Sequence, residues 1–274
     1  MRIDSHQHFW KYNPKKHAWI DEEMAVIRRD FFPEDLSPLL KHNQIDGCIA
    51  VQADQTEDET NFLIELASVN NFIKGVVGWV DLRDKNIEER FLHFKQFNIV
   101  KGFRHILQGE TPSFMFQQEF KNGISKLKNY NFTYDLLLFP QHIKAATELV
   151  RSNPDQMFVI DHIAKPFIKK GTVEGWDVDI KEIAKYPNVY CKISGMVTEA
   201  DYQFWNRHDF TPYLDIVTEA FGTHRLMYGS DWPVCLVAAK YQEAVEIVTA
   251  YYANYSTEEQ NQIFGLNAQK FYNL

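Results

Sequence analysis

Four short polar runs carry the residues able to do chemistry. Near the start, Asp4, His6 and His8 stand at alternate positions, which places them on one side of an extended chain. Two neutral imidazoles on one face can hold a divalent metal such as zinc. The plainer reading is a capping histidine beside an exposed one. Farther along, Ile160-Asp161-His162-Ile163-Ala164-Lys165-Pro166 delivers an imidazole just ahead of a proline. Pro166 disfavours helical geometry at Lys165, so the segment is expected to stay extended into the loop. His162 is then a candidate electrophile, acid/base or metal ligand, with Asp161 on the opposite side as a structural anchor. In Leu226-Met227-Tyr228-Gly229-Ser230-Asp231-Trp232-Pro233 the carboxylate of Asp231 can ligate metal or take a proton from water, its ordinary alternative being a helix N-cap. Lys101 and Arg104 are separated by an odd number of residues, so only one of them faces a site. A guanidinium there either binds a carboxylate or carbonyl, or pairs with an acid on the next strand.

Each polar run ends a short apolar, β-branched stretch. Eight such stretches recur: 2–5, 46–53, 75–82, 100–106, 132–138, 157–163, 189–194 and 225–230. Amphipathic segments alternate with them, among them 57–69, 87–96, 141–152 and 180–185, followed by an apolar stripe through Ala244, Val245, Ile247, Val248, Tyr251 and Tyr252. Ser256 and Glu259 have the spacing of a capping box. Eight βα units suit a (β/α)₈ barrel over residues 1–274, although an open doubly wound sheet gives the same alternation. In either fold the carboxyl ends of the strands hold the site.

Composition narrows the function. With 29 basic and 37 acidic side chains, the formal charge of −8 leaves no basic stripe for a nucleic acid. No apolar run is long enough to cross a bilayer, and Met1-Arg2-Ile3-Asp4-Ser5-His6 lacks the apolar core of a secretory signal. Three scattered cysteines fit neither a disulfide framework nor a thiolate zinc site, so a cytoplasmic protein is expected. Oligomeric state cannot be read from these features.

Ile3-Asp4-Ser5-His6-Gln7-His8-Phe9-Trp10, Asp161-His162-Ile163-Ala164-Lys165-Pro166 and Gly229-Ser230-Asp231-Trp232-Pro233 together resemble the amidohydrolase superfamily, in its amidohydrolase-2 branch with sugar lactonases of the fuconolactonase and rhamnonolactonase kind. Gly102-Phe103-Arg104-His105 and the closing 263–272 segment resemble it more loosely, and the likeness spans the chain. It implies a distorted (β/α)₈ barrel and hydrolysis of a small sugar lactone to the aldonic acid. Asp231 would then be the general base, with His162 and Arg104 stabilising the oxyanion, and Trp10, Lys165 and Trp232 against the substrate. His6, His8 and Asp231 would hold one divalent metal, zinc or manganese, the alternative being a hydrogen-bonding cage that requires none. Many metal-dependent relatives place a histidine on the fifth strand, whereas Phe132 to Leu138 has none and His142 follows in the next helix. That departure argues against a binuclear site and lowers the main rival, a metal-dependent decarboxylase of the same superfamily. A noncatalytic sugar- or metal-binding barrel is the other rival.

Overall fold

The computed structural model describes residues 1–274. All eight apolar stretches become parallel strands: β1 Ile3–Gln7, β2 Gly47–Val51, β3 Ile73–Gly78, β4 Val100–His105, β5 Thr133–Leu136, β6 Phe158–Ile160, β7 Val189–Ile193 and β8 Leu226–Tyr228. They pair in sequence order. The helices between them are α1 Pro33–His42, α2 Glu57–Val69, α3 Ile87–Lys95, α4 Gln118–Leu127, α5 Ile143–Arg151, α6 Trp176–Ile183, α7 Thr211–Phe221 and α8 Tyr241–Tyr251. This is a (β/α)₈ barrel, which removes the open-sheet alternative. Such strands are buried on both faces, and β2 and β8 show it in having no exposed residue.

Local chemistry sets the helix boundaries. Thr56 caps α2 by accepting the Glu59 amide at 3.2 Å, while Glu57, Asp58 and Glu59 place negative charge at the helix's positive end. The Ser256–Glu259 box forms as spaced, with Ser256 Oγ accepting from the Glu259 amide at 3.3 Å at the start of α9 Thr257–Asn261. α6 begins at Trp176, four residues before the expected start, because Gly175, at φ 83, turns the chain into it. After a π-turn over Gln262–Leu266, α10 Asn267–Tyr272 packs Ala268, Phe271 and Tyr272 against Ile3, Ile49, Val51, Val77, Val159 and Met227. The last helix therefore plugs the barrel floor, opposite the carboxyl ends of the strands.

The barrel closes where its polar residues gather. Gln7 bridges Trp232, the Asp231 amide donates to the His6 carbonyl at 2.8 Å, and the His8 amide donates to the Trp232 carbonyl at 2.7 Å. The β1 end is thus stitched directly to the loop after β8. No helix is long and apolar enough to cross a membrane.

Candidate active site

A bulge decides which side chains of β1 face inward. Asp4 pairs with Cys48 but Gln7 pairs with Ala50, so three steps on β1 match two on β2. Ile3 points into the floor, Asp4 points out, and His6 and His8 point back in. The expectation that Asp4 shares a face with the histidines is therefore corrected. Asp4 accepts from the Ser230 amide at 2.9 Å and from Tyr241 of α8 at 3.0 Å, outside the barrel.

His162 and Asp231 arrive on left-handed backbone. His162, Ile163, Ala164 and Lys165 have φ of 54, 48, 59 and 49, and Asp231 has φ 57. A non-glycine residue in this region costs about 1–2 kcal/mol, and a β-branched one such as Ile163 is a marked exception. The anticipated extended run into Pro166 is thus a left-handed turn. Pro166 bars right-handed helix at Lys165, and the chain satisfies it by turning the other way. Trp176 Nε1 donating to the Ile163 carbonyl at 2.9 Å and Lys165 paired to Glu199 at 2.6 Å hold the turn. Such strain collects where a side chain must be aimed.

The aim is at one point. His6 Nε2 lies 3.2 Å from His8 Nε2, and Asp231 Oδ1 lies 3.4 Å from His8 Nε2, 3.8 Å from His162 Nε2 and 3.9 Å from His6 Nε2. Four donors around a zinc-sized ion at 2.0–2.1 Å would stand about 3.3 Å apart. Hydrogen bonds prepare the nitrogens. His8 Nδ1 donates to the Val51 carbonyl at 2.7 Å, leaving a lone pair on its Nε2. His6 is flanked by donors on both ring nitrogens, with Arg104 Nη1 3.3 Å from its Nε2 and Lys192 Nζ 3.2 Å from its Nδ1, while Asp161 Oδ1 lies 3.2 Å from the same Nδ1. His162 Nδ1 is 2.9 Å from Ser194 Oγ.

Electrostatics agrees with the geometry. Burial holds His6 and His162 well below the ordinary histidine range, so both are neutral at neutral pH. Burial pushes Asp231 up, but His162 and His8 outweigh it and leave the carboxyl below its usual value, hence ionised. The other two carboxylates inside the barrel have cations: Asp161 has Arg104 at 3.0 Å and Lys192 at 3.0 Å, and Asp135 has Lys192 at 2.5 Å. Asp231 has only imidazoles within 4 Å. A buried carboxylate with no Lys or Arg nitrogen within 4 Å lacks a permanent counter-charge, and a divalent cation fits that deficit.

The convergence point opens on a cavity of about 310 Å³ lined by His8, Trp19, Met24, Ala53, Arg104, Ile106, Gln108, Leu137, His162, Lys165, Thr198, Glu199, Tyr202, Asp231 and Val234. Arg104, not Lys101, faces it; Lys101 Nζ donates to the Asn273 carbonyl near the C-terminus. Lys165 reaches the wall. Trp10 and Trp232 do not: both are fully buried against Phe31, with ring centroids 5.5 and 5.2 Å away, and Trp10 spends its indole N–H on the Arg29 carbonyl. They anchor the loop behind His8, and the aromatic rings at the mouth are Trp19 and Tyr202. Trp205 is likewise outside the cavity, donating to the Ala238 carbonyl. His142 accepts the Phe139 amide at Nδ1, donates from Nε2 to the Glu110 carbonyl at 2.9 Å and takes no part.

Sequence reasoning missed Asp135 and Lys192 and misplaced Asp161. All three lie in the barrel interior beneath the histidines. A lysine between Cys191 and Ile193 in a buried strand is itself a signal, because an ammonium there must be paired.

The Amidohydrolase family profile matches residues 3–274. The chain is 37% identical over 286 residues to an L-fucono-1,5-lactonase of Burkholderia multivorans, covering 100% of this chain and 96% of that protein. It is 35% identical over 242 residues to an L-fucono-1,5-lactonase of Burkholderia ambifaria, covering 88% and 83%. A crystal structure of a zinc-bound amidohydrolase from Burkholderia multivorans superposes with a TM-score of 0.97 at 37% identity, covering 100% of this chain and 99% of that one.

Proposed function

The chain belongs to the amidohydrolase family, and from that premise we propose that it hydrolyses a sugar-derived lactone, of the L-fucono-1,5-lactone type, to the aldonic acid. The observation that carries this reading is the meeting of three imidazole nitrogens with the ionised Asp231 carboxylate at the wall of a lactone-sized cavity. The likeness to two fuconolactonases supports it.

His6, His8 and Asp231 would hold one divalent ion, with His162 left to the substrate, and an imidazole-rich set suits zinc better than manganese. Bound there, the ion supplies Lewis-acid polarisation of a carbonyl. The chain's own residues do the rest. Asp231 takes a proton from the attacking water as its oxygen bonds to the lactone carbon, and returns that proton to the ring oxygen as the ester C–O bond breaks. His162 and Arg104 face the carbonyl oxygen as negative charge builds on it. Arg104 is fixed for this by Asp161 and the Gln52 carbonyl, while its buried Nε has no acceptor in the protein. Lys165 and Glu199 offer the hydroxyl groups of the substrate a donor and an acceptor, and Trp19, Met24, Ile106 and Leu137 cover its apolar face.

Acid release tests the proposal. A panel of sugar 1,4- and 1,5-lactones, followed with a pH indicator on chelated and zinc-reconstituted enzyme, should show turnover of deoxyhexono-lactones above background, stronger with zinc. No acidification with any lactone would reject the activity. Equal rates in chelated and reconstituted protein would reject the ion and leave the residue cage.

A further inference from the structure

Two permanent cations line the cavity, Arg104 and Lys165, and both are already engaged. Arg104 donates to Asp161 Oδ2 at 3.0 Å and to the Gln52 carbonyl. Lys165 Nζ donates to Glu199 Oε1 at 2.6 Å, with only 14% and 20% of the two side chains exposed. The backbone under each partner fixes this second pair in advance. Lys165 closes the left-handed turn at φ 49, its amide donating to the His162 carbonyl at 2.8 Å. Glu199 ends the short turn Val197–Glu199 after β7, where its amide donates to the Met196 carbonyl at 3.2 Å and Thr198 Oγ1 to the Gly195 carbonyl at 2.7 Å.

The pair treats neutral and charged ligands differently. A hydroxyl both accepts and donates, so it can take a hydrogen from the Lys165 ammonium and give its own to the Glu199 carboxylate. A ligand carboxylate can only accept. To reach Lys165 it must stand beside Glu199, and in a site withdrawn from water two like charges at contact repel strongly. The approach carries the same sign. An outer hollow shares Thr198, Glu199 and Tyr202 with the cavity and adds Glu23 and Asp201, while its one cation, Lys169, is paired to Asp201 at 3.2 Å.

We propose that Glu199 is a specificity-determining residue: by occupying the Lys165 ammonium it restricts the site to uncharged, hydroxylated lactones and turns away lactones that carry a carboxylate. This deepens the lactonase reading and rests on it, and a binding measurement separates the two.

The test compares zinc-loaded wild type with Glu199→Gln, which keeps the volume and removes the charge. Each is given a neutral 6-deoxyhexono-1,5-lactone and a hexaric acid monolactone bearing a free carboxylate. Wild type should favour the neutral lactone in kcat/KM. In Glu199→Gln the ratio of carboxylated to neutral kcat/KM should rise about 10-fold or more, the value of one charged hydrogen bond to the freed Lys165. The rise should shrink in high salt and vanish when Lys165→Met is added to Glu199→Gln. A merely structural role for Glu199 would lower both rates and leave their ratio alone. A folded Glu199→Gln with the ratio within twofold of wild type would overturn the proposal, as would a wild type that prefers the carboxylated lactone. Where neither lactone is turned over, the lactonase reading fails by itself, and calorimetric affinities for the same two lactones decide: a ratio that rises in Glu199→Gln upholds the selection against carboxylates, and an unmoved ratio overturns it.

Discussion

Replacing Gly195 by alanine probes whether the position of His162 matters to catalysis. Gly195 follows β7 at φ +58, and a Cβ built there would lie 2.5 Å from His162 Nδ1 and 2.7 Å from its Cγ. Two effects separate. The left-handed backbone alone costs alanine about 1–2 kcal/mol. The collision must also open to an ordinary contact of about 3.5 Å, so the imidazole has to move by about 1 Å. That movement strains the 2.9 Å contact to Ser194 Oγ and carries Nε2 away from Asp231. A displacement of that size in a reacting group is expected to lower kcat/KM about 10²-fold. Gly171 supplies the control, since its φ is +64 but nothing lies within 4 Å of its added Cβ. Urea unfolding and lactone hydrolysis on both variants give the comparison. Gly171→Ala should lose stability alone, and Gly195→Ala both stability and turnover. A folded Gly195→Ala with kcat/KM within threefold of wild type would refute the claim that the His162 ring must stand where it does.

Other outcomes follow from the same structure. Glu59, at the start of α2, accepts the Ala53 amide at 3.2 Å, and burial raises its carboxyl from 4.5 to about 7. A carboxyl raised on folding adds stability that is complete below its unfolded pKa and is lost as pH rises through the folded one. Glu59→Gln should therefore gain about 2–3 kcal/mol on wild type between pH 5 and pH 8 in urea unfolding; parallel stability curves would exclude a buried titrating Glu59. Lys165 sits at the cavity wall, paired to Glu199. Lys165→Met should raise KM for a sugar lactone roughly 10-fold, the value of a charged hydrogen bond, with a smaller change in kcat; an unaltered KM would remove Lys165 from substrate contact.

The architecture was legible because a strand buried on both faces is usually written as an apolar run, as β2, β6 and β8 are, although β1 has one apolar residue in five. The histidines and Asp231 stood out for the complementary reason: polar residues at the ends of such runs need a purpose. What escaped reading depends on three-dimensional pairing. A one-residue bulge near Ser5 turned Asp4 outward, and no residue type announces it. The left-handed turn through Ile163 contains no glycine to mark it. Trp10 and Trp232 border the motifs in sequence, yet Phe31, from a distant loop, claims both rings. Asp135 and Lys192 left a readable trace as charges inside apolar strands, but their partnership across β5 and β7 required the barrel to be closed.

The account's central claim is that Asp231, alone among the barrel's interior carboxylates in having no cation, moves the proton in lactone opening. The most direct measurement is acid release by Asp231→Asn on whichever lactone the wild type turns over, with thermal unfolding recorded on the same sample. The amide keeps the volume and cannot take a proton, so turnover should fall by about 10²–10⁴-fold while the protein still unfolds cooperatively. Asp231→Asn that hydrolyses the lactone within tenfold of the wild-type rate would contradict the account.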